Sequence, residues 1–334
     1  MPEIAGSHSS MLPMAAAVPL ALLIDLWLGE PPSRFHPVVW MGLYLGRTGS
    51  WLAPMQTLQQ PAANDWTRFW LGAGIWAIAA AVVIAVAVSL QYWALGTNPI
   101  VAGLLLGAAL KPLLAWRMLR NEVLAIETAL GNSLDEGRSR LALLVSRKVQ
   151  RLSETEIRES AIESMAENLN DSLVAPLFWF ALLGLPGAAL YRFANTADAM
   201  WGYPGIYTGR NWTWAGKWAA RADDVLSWVP ARVTAFLLVA MGQRGARRQV
   251  LGRLRREASL TPSPNGGWPM AAMALLLDVR LTKPGAYVLN AAGQAPRPSD
   301  TALAASLAQK VVVACAGCAV AVIFLVGFLS EVLQ

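Results

Sequence analysis

Charge is what this 334-residue chain has least of: Asp, Glu, Lys and Arg make up 14% of it, against about 25% in ordinary soluble domains. Cysteine is nearly absent too. The two present, Cys315 and Cys318, lie inside an apolar run, which excludes a disulfide framework or a Cys-rich metal site. Only two histidines occur, so a His-based metal centre has little to draw on. No Gly-x-x-x-x-Gly-Lys-Ser/Thr loop, dinucleotide Gly pattern, His-Glu-x-x-His or Gly-x-Ser-x-Gly is present, which removes P-loop ATPases, Rossmann enzymes, zincins and α/β-hydrolases. No internal repeat is found.

What is present fits a membrane. The chain is 55% apolar with a mean hydropathy of +0.42, and it holds 15 Trp and 27 Gly. Trp is favoured at membrane interfaces and Gly within membrane helices. Charge is missing throughout 69–110, room for two spans of about 20 residues, divided at Gly96-Thr97-Asn98-Pro99, a strong turn signal. Spans are expected at about 11–28, 69–91, 98–116, 173–191, 225–243 and 310–330, in a single membrane-embedded domain over 1–334. The first run has no basic start and reads as retained rather than as a cleaved signal.

Charge balance sets the orientation. The net charge is +6. The basic residues cluster in 117–158 and in Arg244, Arg247, Arg248, Arg253, Arg255 and Arg256. By the positive-inside rule both clusters face the cytoplasm and both termini lie outside, so no nucleic-acid partner is needed to explain them. Segments 173–191 and 225–243 then either both cross or both dip in and return. Their Pro, Gly and Arg content fits re-entrant elements lining a protein-enclosed cavity. The fold class expected is an all-α polytopic helical bundle with such re-entrant segments and a cytoplasmic amphipathic helical segment at 117–171. Breaks are expected at Gly131-Asn132-Ser133 and at Asp135-Glu136-Gly137. Ser153 and Glu156 form a capping box that opens a helix.

That helix carries Glu163, Glu167 and Asp171 at four-residue spacing, one turn apart. Like charges so placed repel, and only Arg158 adjoins them in sequence. Either the row is a solvated face, or a divalent cation relieves it. Mg²⁺ prefers one or two carboxylates with phosphate oxygens. Further polar clusters surround Asp25 and His36, Asn195 and Asp198, Arg221, Asp223 and Asp224, Arg232, and Ser263 with Asn265. His36 is one of few groups able to titrate near neutrality, or else a satisfied turn histidine. Lys111, near a helix end, is expected to snorkel.

Taken in order, these clusters resemble the adenosylcobinamide-phosphate synthase family (CobD/CbiB) of cobalamin biosynthesis. The matching stretches are Ile24-Asp25-x-x-x-Gly29-Glu30-Pro31 with His36-Pro37-Val38, and Glu163-Ser164-x-Ala166-Glu167-Asn168-x-x-Asp171. They continue with Asn195-Thr196-x-Asp198-x-Met200-x-Gly202-Tyr203, Ala220-Arg221-x-Asp223-Asp224 with Pro230-Ala231-Arg232, and Pro262-Ser263-Pro264-Asn265. Lys148 stands where the family usually carries Asp, Glu30 replaces an Asp, and Ser172 stands where Gly is common.

The resemblance implies an integral inner-membrane ligase. Its reaction joins the carboxylate of the corrinoid adenosylcobyric acid to aminopropanol phosphate or a related amino-alcohol phosphate, with ATP and Mg²⁺. On that basis Glu163, Glu167 and Asp171 are expected to hold the metal. Asn168, Asn195, Asp198, Ser263 and Asn265 would contact substrate or nucleotide, and Arg221 and Arg232 would counter phosphate charge. Asp223 or Asp224 would take the amine proton, with His36 as second choice. The site would face the cytoplasm, and a homo-oligomer or a complex with other pathway enzymes is open. The alternative is a catalytically silent relative with a signalling or scaffold role.

Overall fold

A computed structural model describes residues 8–55 and 64–332. They are mostly helical, as expected, with two short antiparallel hairpins that the sequence reading does not include. Among the described residues, six helical stretches are long and apolar enough to cross a membrane: Met11–Leu28, Trp66–Leu95, Pro99–Asn132, Glu154–Trp201, Lys217–Met241 and Pro298–Ser330. The expected outward placement of the two chain ends concerns residues outside those described. The described residues group into two compact units.

The first unit contains the chain up to Leu114, then Pro176–Leu226 and the residues from Ala319. Helix α1, His8–Leu28, packs along α4, Pro99–Leu110. The Gly103/Gly107 pair makes this possible: a Cβ on Gly107 would stand 2.8 Å from the Leu20 Cβ and 3.3 Å from the Ala17 carbonyl oxygen. Small residues four apart are the usual means of close approach between membrane helices. Asn98 caps α4 by accepting from Val101 N at 3.1 Å, with Pro99 at the first helical position, so the turn falls at the expected place. The expected span 98–116 falls, from Pro99 on, within the stretch Pro99–Asn132. The chain tightens into a 3₁₀ turn at Lys111–Leu113 around Pro112, and α5 begins at Trp116.

Two further helices belong to this unit. Helix α2, Pro37–Leu52, lies in what the sequence reading left as a connection. Its start is set by His36, which caps it, and Pro37, whose fixed φ suits a first turn. The long α3, Trp66–Leu95, begins at the Asp65 cap. Leu45, Leu52, Ala79, Ala80, Phe193, Trp201 and Trp212 form the buried core of this unit.

Helix α8, Ala175–Trp201, is broken. Gly184 has φ +69° and ψ −157°, outside any helical region. A Cβ on Gly187 would lie 2.5 Å from the Trp179 carbonyl oxygen, although eight residues of straight helix span about 12 Å. The chain therefore reverses within the expected span 173–191. The reversal is held by Gln91 of α3, whose Oε1 accepts from Leu185 N at 2.7 Å.

The second unit contains Ala115–Ala175 and Ser227–Cys318. Helix α5, Trp116–Asn132, ends at the expected break, and Ser133 caps α6, Leu134–Leu141. The second expected break, at Asp135-Glu136-Gly137, is instead the first turn of α6, where acids suit the helix dipole. Helix α7, Glu154–Leu169, opens on the capping box and runs into a π turn at Asn170–Val174. It packs against α5, α6, α11 (Gly267–Leu277) and the strand β3 (Leu281–Lys283). Helix α9, Lys217–Met241, supplies this unit from Ser227 onward, followed by α10, Arg247–Ala258, and α12, Pro298–Val332. Hairpin β1–β2 (Ile206–Tyr207, Arg210–Asn211) lies in the first unit and β3–β4 (Leu281–Lys283, Tyr287–Leu289) in the second.

Substituting Gly184→Ala is expected to lower the thermal unfolding midpoint in detergent, with a cost of about 1–3 kcal/mol from the positive φ alone. A Cβ there also meets the Gln91 amide. Gly74→Ala, inside α3 with nothing within 4 Å, serves as the control and should be neutral or slightly stabilising.

Candidate functional site

The acidic row on α7 is not a solvated face. Glu163 is 5% exposed, and Ser160 and Ser164 beside it are buried as well. The counter-charge comes from outside the helix. Arg147 Nη2 donates to Glu163 Oε2 at 3.2 Å and to Ser160 Oγ at 2.5 Å. The Tyr287 hydroxyl, on β4, donates to Glu163 Oε1. Burial, with the charges of Glu163 and then Glu167 beside it, pushes the Tyr287 phenol far up, so it stays a donor. One turn earlier, Glu159 Oε2 accepts from Thr282 N at 2.9 Å. Two glutamates of α7 thus hold the β3–β4 hairpin, one through a side chain and one through backbone.

Glu167 and Asp171 face other groups. Glu167 Oε1 lies 3.2 Å from where a Gly266 Cβ would stand, so this carboxylate abuts the 263–267 loop. Asp171 Oδ1 accepts from Asn170 Nδ2 at 2.8 Å, and Asn170 Oδ1 accepts from the fully buried Thr234 of α9 at 3.0 Å. Asp171 falls in the π turn, an irregularity that recurs at functional sites. The extra residue there breaks the straight stripe implied by four-residue spacing.

The loop is built from its own residues and braced by an arginine. Ser263 Oγ accepts from the backbone N–H of Asn265 at 3.2 Å and of Gly266 at 3.1 Å. Arg232 Nη1 donates to Asn265 Oδ1 at 2.8 Å, and Nη2 to the Pro264 carbonyl at 3.1 Å. The guanidinium also stacks on Trp228 and Trp268, at 4.3 and 4.8 Å. Gly267 can only be glycine, since a Cβ would sit 2.2 Å from the Ala258 carbonyl oxygen. The second unit therefore gathers Glu163, Glu167, Asp171, Arg232, Ser263 and Asn265, with Arg147, Tyr287 and Thr234 as additions. Asn168 is placed apart from them. Its amide donates to Ser164 O at 3.0 Å and lines a separate cavity beside α5.

Among the described residues no group of three or more His, Cys, Asp or Glu side chains is arranged to hold a metal ion. Mg²⁺ does not require such a cage. A carboxylate or two beside substrate phosphates is its usual setting, and Glu167 and Asp171 are residues of that kind, whereas Glu163 is engaged by Arg147 and Tyr287.

The remaining expected residues lie in the first unit. Asn195 Nδ2 is 3.4 Å from Asp223 Oδ1, and Asp223 and Asp224 are half-buried. Asp198 folds back over Gly202, whose Cβ would collide with Asp198 Oδ1, which explains the glycine of that motif. Arg221 is exposed, 5.9 Å above the Phe69 ring. His36 has both ring nitrogens in use. Nδ1 accepts from Val38 N at 3.3 Å, leaving the proton on Nε2, which donates to Glu30 Oε2 at 3.0 Å. Lys111 does not snorkel. It is 3% exposed, donating to Glu30 Oε2 at 2.8 Å and lying 3.4 Å from the fully buried Asp25. Lys148, the departure from the family pattern, is exposed.

The sequence reading missed the roles of Arg147 and Tyr287, and it read Lys111 as a snorkelling end rather than as a buried partner. A usable signal existed for Lys111: it ends the uncharged run 69–110, and Asp25 ends the uncharged run 4–24.

A family model described as CobD/Cbib protein matches residues 18–316. "Probable cobalamin biosynthesis protein CobD" of Methanothermobacter thermautotrophicus is 39% identical over 283 residues, 81% of this chain and 85% of the relative. The protein of the same name in Pyrococcus abyssi is 37% identical over 286 residues, covering 84% and 87%. "Cobalamin biosynthesis protein CobD" of Brucella suis is 35% identical over 300 residues, covering 82% and 86%. No solved structure matches.

Removing one partner of a buried ion pair leaves the other uncompensated, at about 3–5 kcal/mol. Lys111→Met should therefore lower the unfolding midpoint sharply, and the triple variant with Asp25→Asn and Glu30→Gln should recover part of the loss. Thermal unfolding in detergent checks both.

Proposed function

Because the chain belongs to the CobD/Cbib protein family, we propose that it acts in cobalamin biosynthesis as an ATP-dependent amide ligase. In this reading it joins the carboxylate of adenosylcobyric acid to an amino-alcohol phosphate. The observation that carries the reading is the meeting of Glu167 with the Arg232-braced 263–267 loop in a family member matched from 18 to 316.

A carboxylate does not acylate an amine at neutral pH without activation. The corrinoid carboxylate oxygen attacks the γ-phosphorus of ATP and ADP leaves. The amine nitrogen then attacks the acyl carbon, inorganic phosphate leaves, and the nitrogen gives up a proton to solvent water. Mg²⁺ would be held by Glu167 and Asp171 and would neutralise charge on the phosphates. Arg232 holds Asn265 in place and keeps its own charge beside the loop, where a phosphate is best countered. Glu163 fixes the position of α7 relative to Arg147 and Tyr287. The reversal at Gly184 supports a re-entrant course for 173–191, and with the basic connections it favours a site facing the cytoplasm of a bacterial inner membrane.

The test is amide formation by the purified chain, with ATP and Mg²⁺. Glu167→Gln and Asp171→Asn should each reduce turnover by about 10²-fold, the scale of losing one electrostatic contact to a transition state. Chelation should abolish turnover reversibly. Unchanged turnover in both variants sinks the metal assignment, and a folded wild type without any turnover favours the scaffold alternative.

A further inference from the structure

Six arginines crowd into 244–256, and five of them, Arg247, Arg248, Arg253, Arg255 and Arg256, lie on α10 in the second unit. Two anchors hold that helix. At its start Arg247 Nε and Nη2 donate to the Gly242 carbonyl at 3.4 and 3.3 Å, and Nη2 also donates to the Ala240 carbonyl. Those carbonyls close α9, one of the stretches apolar enough to cross a membrane, so α10 is tied to the end of a span. On its inner side Val250, Leu254 and Ala258 are buried where the helix packs on α11. There Arg253 Nη2 donates to Asn290 Oδ1 at 2.9 Å, and Glu257 Oε2 accepts from Asn290 N at 2.7 Å.

The outer face is open. Arg248, Leu251 and Arg255 are spaced three and four residues apart, which puts them in one stripe, and Arg256 flanks it. All four are exposed, Leu251 at 46%, and Leu260 just past the helix is 48% exposed. The one acid of α10, Glu257, is buried on the inner side. Among the described residues no carboxylate pairs with Arg248, Arg255 or Arg256. An apolar side chain among unpaired cations, on a helix tied to the end of a span, matches a bilayer surface: guanidinium groups meet phosphate oxygens while the leucine enters the acyl boundary. A nucleic acid or a polyacidic segment would meet the charges but not the leucines.

We propose that α10 docks on the bilayer surface and selects anionic phospholipid, with Arg248, Arg255 and Arg256 on the headgroup phosphates and Leu251 at the acyl boundary. This assignment is independent of the ligase reading.

The experiment titrates the purified full chain in detergent with phosphatidylglycerol and with phosphatidylcholine, and counts bound lipids by native mass spectrometry. Phosphatidylglycerol should bind about 10²-fold more tightly, three charges at about fivefold each. The triple variant Arg248→Gln, Arg255→Gln, Arg256→Gln should cut that preference by at least about tenfold. The triple variant Arg120→Gln, Lys148→Gln, Arg151→Gln removes the same charge from exposed positions outside α10 and should keep the preference. A second readout uses nanodiscs containing phosphatidylglycerol, with Cys315 and Cys318 replaced by Ala. A spin label at Leu251→Cys should be relaxed more by oxygen than by a water-soluble nickel chelate, and a label at Gln249→Cys, exposed but off the stripe, should show the reverse. Equal loss in the two triple variants, or a Leu251 label more accessible to nickel than to oxygen, overturns the proposal. So does displacement of the lipid by an equal concentration of inorganic phosphate, which leaves a single-phosphate site. Tighter binding of RNA or polyglutamate than of phosphatidylglycerol overturns it too and gives the face to an acidic macromolecule.

Discussion

A carboxylate buried in protein must be compensated, and at Glu163 that requirement organises the structure around it. Its two oxygens are taken by Arg147 and Tyr287. These lie 16 and 124 residues away in sequence. Satisfying one side chain therefore fixes the segment after α6, the middle of α7 and the β3–β4 hairpin against one another. The rest of the second unit builds on that fixture. With α7 so held, Glu167 meets the Gly266 backbone, and the π turn carries Asp171 and Asn170 toward Thr234. A cation bound to Glu163 would have to compete with an arginine and a phenol already in place, which is why the acidic row divides by role along its length.

The helical plan was legible because it rests on local chemistry. Apolar runs set the long helices, Gly96 to Pro99 marked a turn, and Ser153 with Glu156 marked a helix start. Local signals were also misread. Asp135 and Glu136 looked like a break beside Gly137, yet acids just after a capping serine favour the start of a helix. The reversal in α8 was signalled only as an excess of Pro and Gly. Its location depends on Gln91, which sits 94 residues from Leu185.

The site was legible as a set of residue types and much less as an arrangement. Arg232 and Asn265 were both singled out, but only the fold makes them partners. Asn168 shares a motif with Glu167, yet neighbouring positions on a helix face about 100° apart, and the two side chains serve different surroundings. Arg147 escaped notice because counter-charges were sought in helical register, whereas the one that matters arrives from a non-helical stretch. Tyr287 gave no signal until its hydroxyl was seen against a buried acid.

The Lys111 cluster bears on which helices meet. Asp25 and Lys111 end two different apolar runs, and each is a charge that is costly to bury beside hydrocarbon without its partner. In the folded first unit the acid of the first helix is matched by a cation that follows the fourth. The Gly103 and Gly107 surface receives that first helix. The charge left at the end of one apolar run thus specifies which other run must lie beside it, a pairing that apolar surface alone does not encode.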